Sequence, residues 1–160
     1  MRAKALRPRM SIGDAYMVVG GIPPHNENHT ERCMEFALSA LNEIDEFSKK
    51  YELELKLRIG MGTGPVVAGG IGQTRFTCDL WGDTVNIASR MKTLCHPGLI
   101  QVVEPTYLRL KDKYPFAHRG EIEVKGKGLM KTYISGRENI DEIETLISSG
   151  NINATPSGSS

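Results

Sequence analysis

A long amphipathic segment, residues 30–50, limits the possible folds of this chain more than any other part of the sequence. Apolar residues recur there at steps of three and four, which is the spacing of one face of an α-helix. Directly afterwards, residues 53–61 alternate apolar with polar or glycine positions, which predicts a half-buried β-strand. A helix and a strand that each have one apolar face are stable only when those faces are covered. The two segments therefore predict an α/β sandwich, in which one layer of helices packs on a mixed sheet.

Shorter apolar runs predict further strands and helices around these two segments. The runs are bounded by glycine, proline or asparagine, which is typical of short strands and turns. Pro105 stands where the first position of a helix tolerates proline. The predicted elements are strands over residues 16–19, 99–103 and 130–134, a strand pair over 116–124, a helix over 105–110 and a helical turn over 141–147.

The length of 160 residues, with 39% hydrophobic residues, fits one domain with two tails. Residues 1–10 are basic and are interrupted by Pro8, so we expect an irregular arm. The domain itself is expected over residues 11–136. Residues 137–160 are predicted to be a C-terminal tail that is disordered from about residue 150, because serine, glycine, asparagine and proline dominate there.

Charge and cysteine content exclude several classes of function. A formal net charge of +1 gives no electrostatic case for nucleic acid, which is usually bound by a concentrated basic face. Cys33, Cys78 and Cys95 have no zinc or disulfide spacing, which fits a reducing compartment. The sequence has no apolar run of the roughly 18 residues that span a membrane. We therefore expect a cytoplasmic domain with no membrane segment in this chain, although its parent protein could carry an anchor elsewhere.

A turn over residues 77–82 leads into a second helix, predicted to run to residue 94. Asp83 and Thr84 are favoured at a helix start. Asn86 and Arg90 are four residues apart, so they share one face of the helix. An amide and a guanidinium on one face suit a hydroxyl and a phosphate, although an isolated pair of this kind is usually just part of a polar surface. The residues expected to face the core are Val85, Ala88, Met91 and Leu94.

Other polar and glycine-rich stretches have both a structural and a functional interpretation. Asp14 follows Gly13 in a turn, where aspartate most often bonds its own backbone. Lys125 and Lys127 flank a glycine, and such lysines are usually solvated, yet a lysine on a loop is also a common phosphate ligand. The glycines of residues 62–72 match no phosphate-binding motif. We interpret those glycines as permitting turns and close approach of backbones.

Four stretches, in this order, resemble the class III nucleotidyl cyclases, the adenylate and guanylate cyclase family. They are IGDAYMVV at residues 12–19, RIGMGTGPVVAG at 58–69, TCDLWGDTVNIASRM at 77–91, and RG at 119–120 followed by VKGKG at 124–128. The similarity covers about residues 11–136. It implies a ferredoxin-like fold with a mixed sheet, and head-to-tail dimers that bind the nucleotide between subunits.

The resemblance implies an adenylate cyclase, a lyase of intracellular signalling that converts ATP to 3′,5′-cyclic AMP and pyrophosphate. In this chemistry the ribose 3′-hydroxyl attacks the α-phosphorus with the assistance of two Mg²⁺ or Mn²⁺ ions. By resemblance Asp14 is a metal ligand, Asn86 orients the ribose and Arg90 stabilises charge at the α-phosphorus. Asp79 would bind the base and Lys125 the β and γ phosphates. Because the partner subunit is expected to supply several of these groups, the monomer should be inactive.

Two positions bear on the choice between ATP and GTP. Asp79 is the residue that is typical of adenylate cyclases at the position before Leu-Trp-Gly, and many guanylate cyclases have cysteine there. Met10 fits neither the lysine that is common for ATP nor the glutamate that is common for GTP. ATP is therefore the expected substrate, and a guanylate cyclase that makes cyclic GMP is the alternative.

The family's first strand, with the pattern Phe-x-Asp-Ile-x-Gly-Phe-Thr, and the two helices after it are not found in this sequence. That strand carries the second metal-binding aspartate. We therefore expect a fragment, a misplaced start or a degenerate copy of a cyclase domain. A further alternative is a non-catalytic cyclase-homology module that forms a heterodimer with a complete cyclase domain.

Overall fold

The computed structural model describes residues 7–12, 15–21, 27–69 and 79–152. Its described helices are α1 (His29–Tyr51), α2 (Asp83–Leu94), α3 (Glu104–Leu110) and α4 (Ile140–Ser148). Its described strands are β1 (Arg7–Ile12), β2 (Ala15–Val19), β3 (Ile59–Met61), β4 (Val67–Gly69), β5 (Asp79–Trp81), β6 (Ile100–Val103), β7 (Ala117–Val124) and β8 (Gly128–Ser135). Across these ranges, none of the helices combines the length and the apolar character needed to span a membrane.

The central sheet has four strands in the order β3-β6-β8-β7. β3 runs parallel to β6, whereas β8 is antiparallel to both of its neighbours. β1 pairs with β2, and β4 with β5, as separate antiparallel ribbons. This mixed sheet with packed helices confirms the predicted α/β class.

Helix α1 confirms the prediction for residues 30–50, because it begins one residue earlier and ends one residue later. Met34, Ala37 and Leu41 are buried on its inner face. The helix ends at Glu52, whose backbone is left-handed with φ 54° and ψ 41°. The next amide, that of Leu53, donates to the carbonyl of Ser48 at 2.9 Å and closes the last turn.

Helices lie on both faces of the sheet, which corrects the expected single layer. On β6, Val102 packs in the cluster formed with α1 and α3, whereas the adjacent Val103 packs in the cluster formed with α2. Successive residues of a strand point to opposite faces, so α1 and α2 are on opposite sides. Sequence periodicity shows that a helix has an apolar face, but it does not show which side of the sheet that face covers.

The predicted strand over residues 53–61 is largely wrong, since only Ile59–Met61 forms a strand. Leu53 and Leu55 are 47% and 43% exposed. This segment is tied to α1 instead, because the hydroxyl of Ser48 donates to the carbonyl of Leu55 at 3.2 Å. Alternation of apolar and polar residues indicates an extended backbone. A β-strand also requires a neighbouring strand to pair with, which the sequence pattern does not reveal.

The irregular arm predicted for residues 1–10 is wrong for residues 7–10, which belong to β1. Proline occurs in sheets chiefly on edge strands and at bulges, and β1, in the described residues, pairs with β2 alone. The register shifts between Pro8 and Met10. The predicted strand over residues 16–19 is confirmed as β2, whereas Gly13 and Asp14 lie outside the described residues.

Two expectations for the C-terminal part also change. The strand pair predicted over residues 116–124 is one strand, β7, with an irregular register between His118 and Gly120. The helical turn predicted over residues 141–147 is the full helix α4. Ile152 is 1% exposed and packs with Ile143 of α4, so the chain is still packed at a position expected to be disordered. Residues 153–160 lie outside the described part.

Candidate functional site

Asn86 and Arg90 both lie exposed on α2, as their spacing predicted. The opposite face of α2 is buried through Ile87 and Met91, which pack with Val103 of β6. The core face was therefore predicted correctly for Met91, whereas Val85 and Ala88 are only partly buried. The structure places the amide and the guanidinium together on the solvent side of a helix whose other side is fixed in the core.

α2 sits directly on the backbone of β3, because two glycines leave no side chain between them. A Cβ atom on Gly60 would lie 2.1 Å from the amide nitrogen of Lys92 and 2.2 Å from the carbonyl oxygen of Ala88. A Cβ on Gly62 would lie 2.9 Å from the carbonyl oxygen of Thr84. The close approach of backbones predicted for Gly62 is thus present, and Gly60, which was expected only as a strand position, makes a still closer one. Together the two contacts set the depth of α2 on the sheet.

Side-chain hydrogen bonds hold both ends of α2. At its start the hydroxyl of Thr84 donates to the carbonyl of Pro65 at 2.8 Å. At its end the guanidinium of Arg119, from β7, donates to the carbonyl of Leu94 and to the side-chain oxygen of Gln101. Burial lowers the pKa of Arg119 below its usual value, since desolvation disfavours the charged form. The helix is therefore attached at its two ends to two segments that are distant in sequence, the loop after β3 and strand β7.

The basic turn between β7 and β8 lies beside the start of α2. Lys125 is exposed in this turn, which is closed by a 2.9 Å hydrogen bond from the amide of Lys127 to the carbonyl of Val124. The ammonium of Lys127 lies 3.9 Å from the carboxylate of Asp83, the first residue of α2. An exposed ion pair of this kind stabilises weakly, but it locates the turn within one helical turn of Asn86.

The other two predicted site residues are placed less completely. Asp79 begins β5, where its backbone is paired with Gly69 of β4, and Gly82 then connects β5 to α2. Asp14 lies outside the described residues. Across the described ranges there is no group of three or more histidine, cysteine, aspartate or glutamate side chains that could hold a metal ion. The structure therefore brings together Asn86, Arg90 and the turn that carries Lys125.

Sequence reasoning missed the residues that support α2. Arg119 lies in the RG motif at residues 119–120, but the sequence does not indicate its role, because its partner Leu94 is 25 residues away. Gln101 is fully buried in β6, and a glutamine inside an otherwise apolar run was a signal that a polar partner lies nearby. Thr84 was recognised only as a helix-start residue, although its hydroxyl bonds the loop after β3.

Residues 8–136 match the family model of the adenylate and guanylate cyclase catalytic domain. An adenylate cyclase of Mycobacterium tuberculosis is 46% identical over 127 residues, which are 79% of this chain and 29% of that protein. A membrane guanylyl cyclase of Dictyostelium discoideum is 42% identical over 137 residues, which are 85% of this chain and 9% of that protein. The chain thus spans less than a third of the length of either relative.

A solved structure agrees with the sequence matches. The catalytic core of a rhodopsin-guanylyl cyclase with converted specificity, in complex with ATPαS, superposes with a TM-score of 0.74 and 38% identity. The match covers 83% of this chain and 72% of that one. Together these similarities confirm the resemblance inferred from the four motifs, and with it the predicted fold.

Proposed function

This chain belongs to the adenylate and guanylate cyclase catalytic domain family, and we propose that it acts on ATP, forming 3′,5′-cyclic AMP and pyrophosphate. The observation that carries the proposal is the pairing of Asn86 and Arg90 on the exposed face of α2, next to a lysine-bearing turn. An amide, a guanidinium and a flexible ammonium are suited to a ribose hydroxyl, an α-phosphate and a terminal phosphate respectively.

Arg90 is the residue on which the proposed chemistry depends most. Negative charge increases on the non-bridging oxygens of the α-phosphorus as the 3′-oxygen attacks. A guanidinium held in advance on a rigid helix stabilises that charge without reorganising, and losing such a donor typically costs about 3 kcal/mol. Arg90 makes no ion pair with any side chain in the described ranges, so its donors are available to a ligand.

Asn86 and Lys125 complete the polar surface. Asn86 would hold the ribose so that the 3′-hydroxyl faces the α-phosphorus, which restricts the nucleotide to reactive geometries. Lys125 would neutralise the β and γ phosphates and so favour departure of pyrophosphate. Asp79 would accept a hydrogen bond from the adenine amino group.

We also propose that Asp14 binds Mg²⁺ or Mn²⁺, two ions per site, as the resemblance implies. A divalent ion bound there would neutralise the triphosphate and favour ionisation of the 3′-hydroxyl. The described residues supply no such ion site of their own. Titration of the chain with Mn²⁺, followed by electron paramagnetic resonance, tests the assignment, because Asp14→Asn should weaken binding whereas Asp141→Asn on α4 should not.

The proposed unit of activity is a dimer, in which one subunit contributes Asp14 and its partner contributes Asn86 and Arg90. The exposure of Asn86 and Arg90 supports an arrangement in which a second chain covers them.

GTP is a second candidate substrate. The Dictyostelium relative is a guanylyl cyclase with 42% identity, close to the 46% of the mycobacterial adenylate cyclase. Asp79 favours ATP, because a carboxylate accepts the adenine amino group but repels the carbonyl oxygen at the corresponding position of guanine.

The test is cyclic nucleotide production by the full chain with Mn²⁺ and either ATP or GTP. We expect cyclic AMP, and we expect Arg90→Ala to lower kcat by about 100-fold. Arg109→Ala is the matched control, since Arg109 is an exposed arginine on α3, on the other face of the sheet. An Arg90→Ala variant that is as active as the wild type would contradict the proposal.

If neither product forms, catalysis by this chain alone is excluded. Mixing the chain with a complete cyclase domain then tests the module alternative. Product that forms only in the mixture, and only with Arg90 intact, would identify a heterodimer.

A further inference from the structure

Arg119 lies at an irregular point of β7, where the register with β8 shifts between His118 and Gly120. Its side chain is half-buried and leaves β7 towards α2. There it donates to the main-chain carbonyl of Leu94 and to the side-chain oxygen of Gln101. One guanidinium nitrogen, Nη1, makes both bonds and so joins the helix end to the sheet, and its two N–H groups are held in the plane of the guanidinium.

Leu94 is the last residue of α2, so its carbonyl has no acceptor role within the helix. Arg119 supplies a donor to this carbonyl and places a positive charge at the negative end of the helix dipole. Leu94 is four residues after Arg90, one turn along the same helix. A displacement of the last turn would therefore move the base of the Arg90 side chain.

The glycine contact with β3 does not by itself fix α2 along its axis. Gly60 and Gly62 allow the backbones to meet, but they have no side chains to interlock with the ridges of the helix. The axial position then depends on Ile87 and Met91 in the core and on the two ends. Arg119 is the charged contact at the end nearer to Arg90.

Gln101 strengthens this interpretation. The residue is fully buried, and its side-chain nitrogen has no hydrogen-bond partner among the described residues. An unpaired buried donor is costly, so an apolar residue would be more stable if only packing mattered. The other end of the same amide accepts from Arg119, which gives Gln101 a function in orienting the guanidinium.

We propose that Arg119 is a positioning residue that fixes the end of α2 against the sheet and so sets the placement of Arg90 at the reacting nucleotide. The inference rests on the function proposed for Arg90. Arg119 itself does not touch the substrate.

The first test is hydrogen–deuterium exchange of the full chain. Arg119→Ala should raise exchange of the amides of residues 91–95 and leave the amides of α1 unchanged. Lys113→Ala is the control, because it removes a 2.7 Å ion pair with Glu31 on the opposite face of the sheet. Unchanged exchange at the end of α2 would overturn the proposal. Arg119→Lys, which keeps the charge but not the planar guanidinium, serves if the alanine variant does not fold, and it should show a smaller increase.

The second test is a double-mutant cycle of Arg119→Ala and Arg90→Ala, which separates positioning of Arg90 from general stabilisation of the fold. We expect Arg119→Ala to lower kcat by about 100-fold, as for a displacement of about 1 Å, with KM changed less than about threefold. In the Arg90→Ala background the same change should have little further effect, because the group it positions is gone. Losses that multiply in the double variant would overturn the proposal.

If the wild-type chain forms no cyclic nucleotide, the proposed catalytic function fails. The wild type, the two single alanine variants and the double variant are then compared by their affinity for ATPαS. Coupled losses of affinity would still support positioning of Arg90. Independent losses, or a wild-type chain that does not bind ATPαS, would overturn the inference.

Discussion

In the proposed site a single side chain, that of Asp79, is expected to select the base. We expect Asp79→Cys to lower the ratio of kcat/KM for ATP to kcat/KM for GTP by at least about tenfold. The physical reason is that the variant loses the carboxylate acceptor for the adenine amino group and no longer repels the guanine carbonyl. The measurement is initial rates of cyclic AMP and cyclic GMP formation under identical conditions.

Asp112→Cys is the matched control, because Asp112 is an exposed aspartate in the turn after α3. An unchanged ATP-to-GTP ratio in Asp79→Cys would show that Asp79 does not select the base.

Two thiols, that of the partly buried Cys33 and that of the buried Cys95, give the stability of the protein a dependence on alkaline pH. Burial raises the pKa of Cys33 and of Cys95 to about 11, from 9.0 for an exposed thiol. Between pH 9.0 and about 11 the unfolded chain loses these protons and the folded chain keeps them, so folding becomes less favourable as pH rises. The contribution is fully present below pH 9.0.

We expect the melting temperature of the wild type to fall more steeply across this range than that of Cys33→Ala/Cys95→Ala. Thermal melts at closely spaced pH values measure the two slopes, and parallel curves would refute the assignment. All other side chains are the same in the two proteins, so their contributions cancel in the comparison.

Residue-level prediction succeeded where the information is local. The shared face of Asn86 and Arg90 follows from helical spacing alone, and the structure places both on the exposed side of α2. The contact between Arg119 and Leu94 depends on how β7 pairs with β8 and on where α2 packs. No local pattern contains that information, so the supporting residue was beyond sequence reasoning.

At the level of elements, the contact between α2 and β3 depends on Gly60, because a residue with a Cβ atom would not fit there. Gly60→Ala should destabilise the fold by about 3 kcal/mol, since the added Cβ would overlap the backbone of α2 and backbone cannot move aside cheaply. Urea denaturation followed by circular dichroism gives the free energy of unfolding.

Gly126→Ala is the control for the general cost of replacing glycine. Gly126 has φ 79° and no heavy atom within 4 Å of an added Cβ, so only the backbone strain of about 1 kcal/mol is expected. Equal losses of unfolding free energy in the two variants would mean that a Cβ at residue 60 does not overlap the backbone of α2.

The longer elements could be predicted, and the shorter ones only in part. Twenty-three residues of α1 repeat one period often enough to define both its type and its face. β3 is three residues long, and the alternation before it belongs to an extended segment that is bonded to α1 instead of to a strand. β1 was missed because its pairing partner β2 outweighs the local effect of Pro8.

For the whole molecule, the proposed site between two subunits predicts complementation between two impaired variants. Asp14→Asn and Arg90→Ala should each lower activity by about 100-fold or more, because each removes a group on which the reaction depends from both sites of a symmetric dimer. Mixed in equal amounts, they should recover about a quarter of the wild-type rate, since half of the dimers are mixed and each of those has one intact site.

Cyclic nucleotide production by each variant alone and by the mixture measures this effect. A mixture no more active than its components would argue that both residues act within one subunit.

The attachments of α2 also have a consequence for the order in which the protein is made. Thr84 is bonded to a residue 19 positions earlier, whereas Leu94 is bonded to a residue 25 positions later. During synthesis the helix leaves the ribosome before β7 exists, so its far end stays unattached while its near end is already secured. The C-terminal end of α2 is thus attached to the sheet only after Arg119 has emerged from the ribosome. Until then the nascent chain cannot hold Arg90 in the position proposed for catalysis.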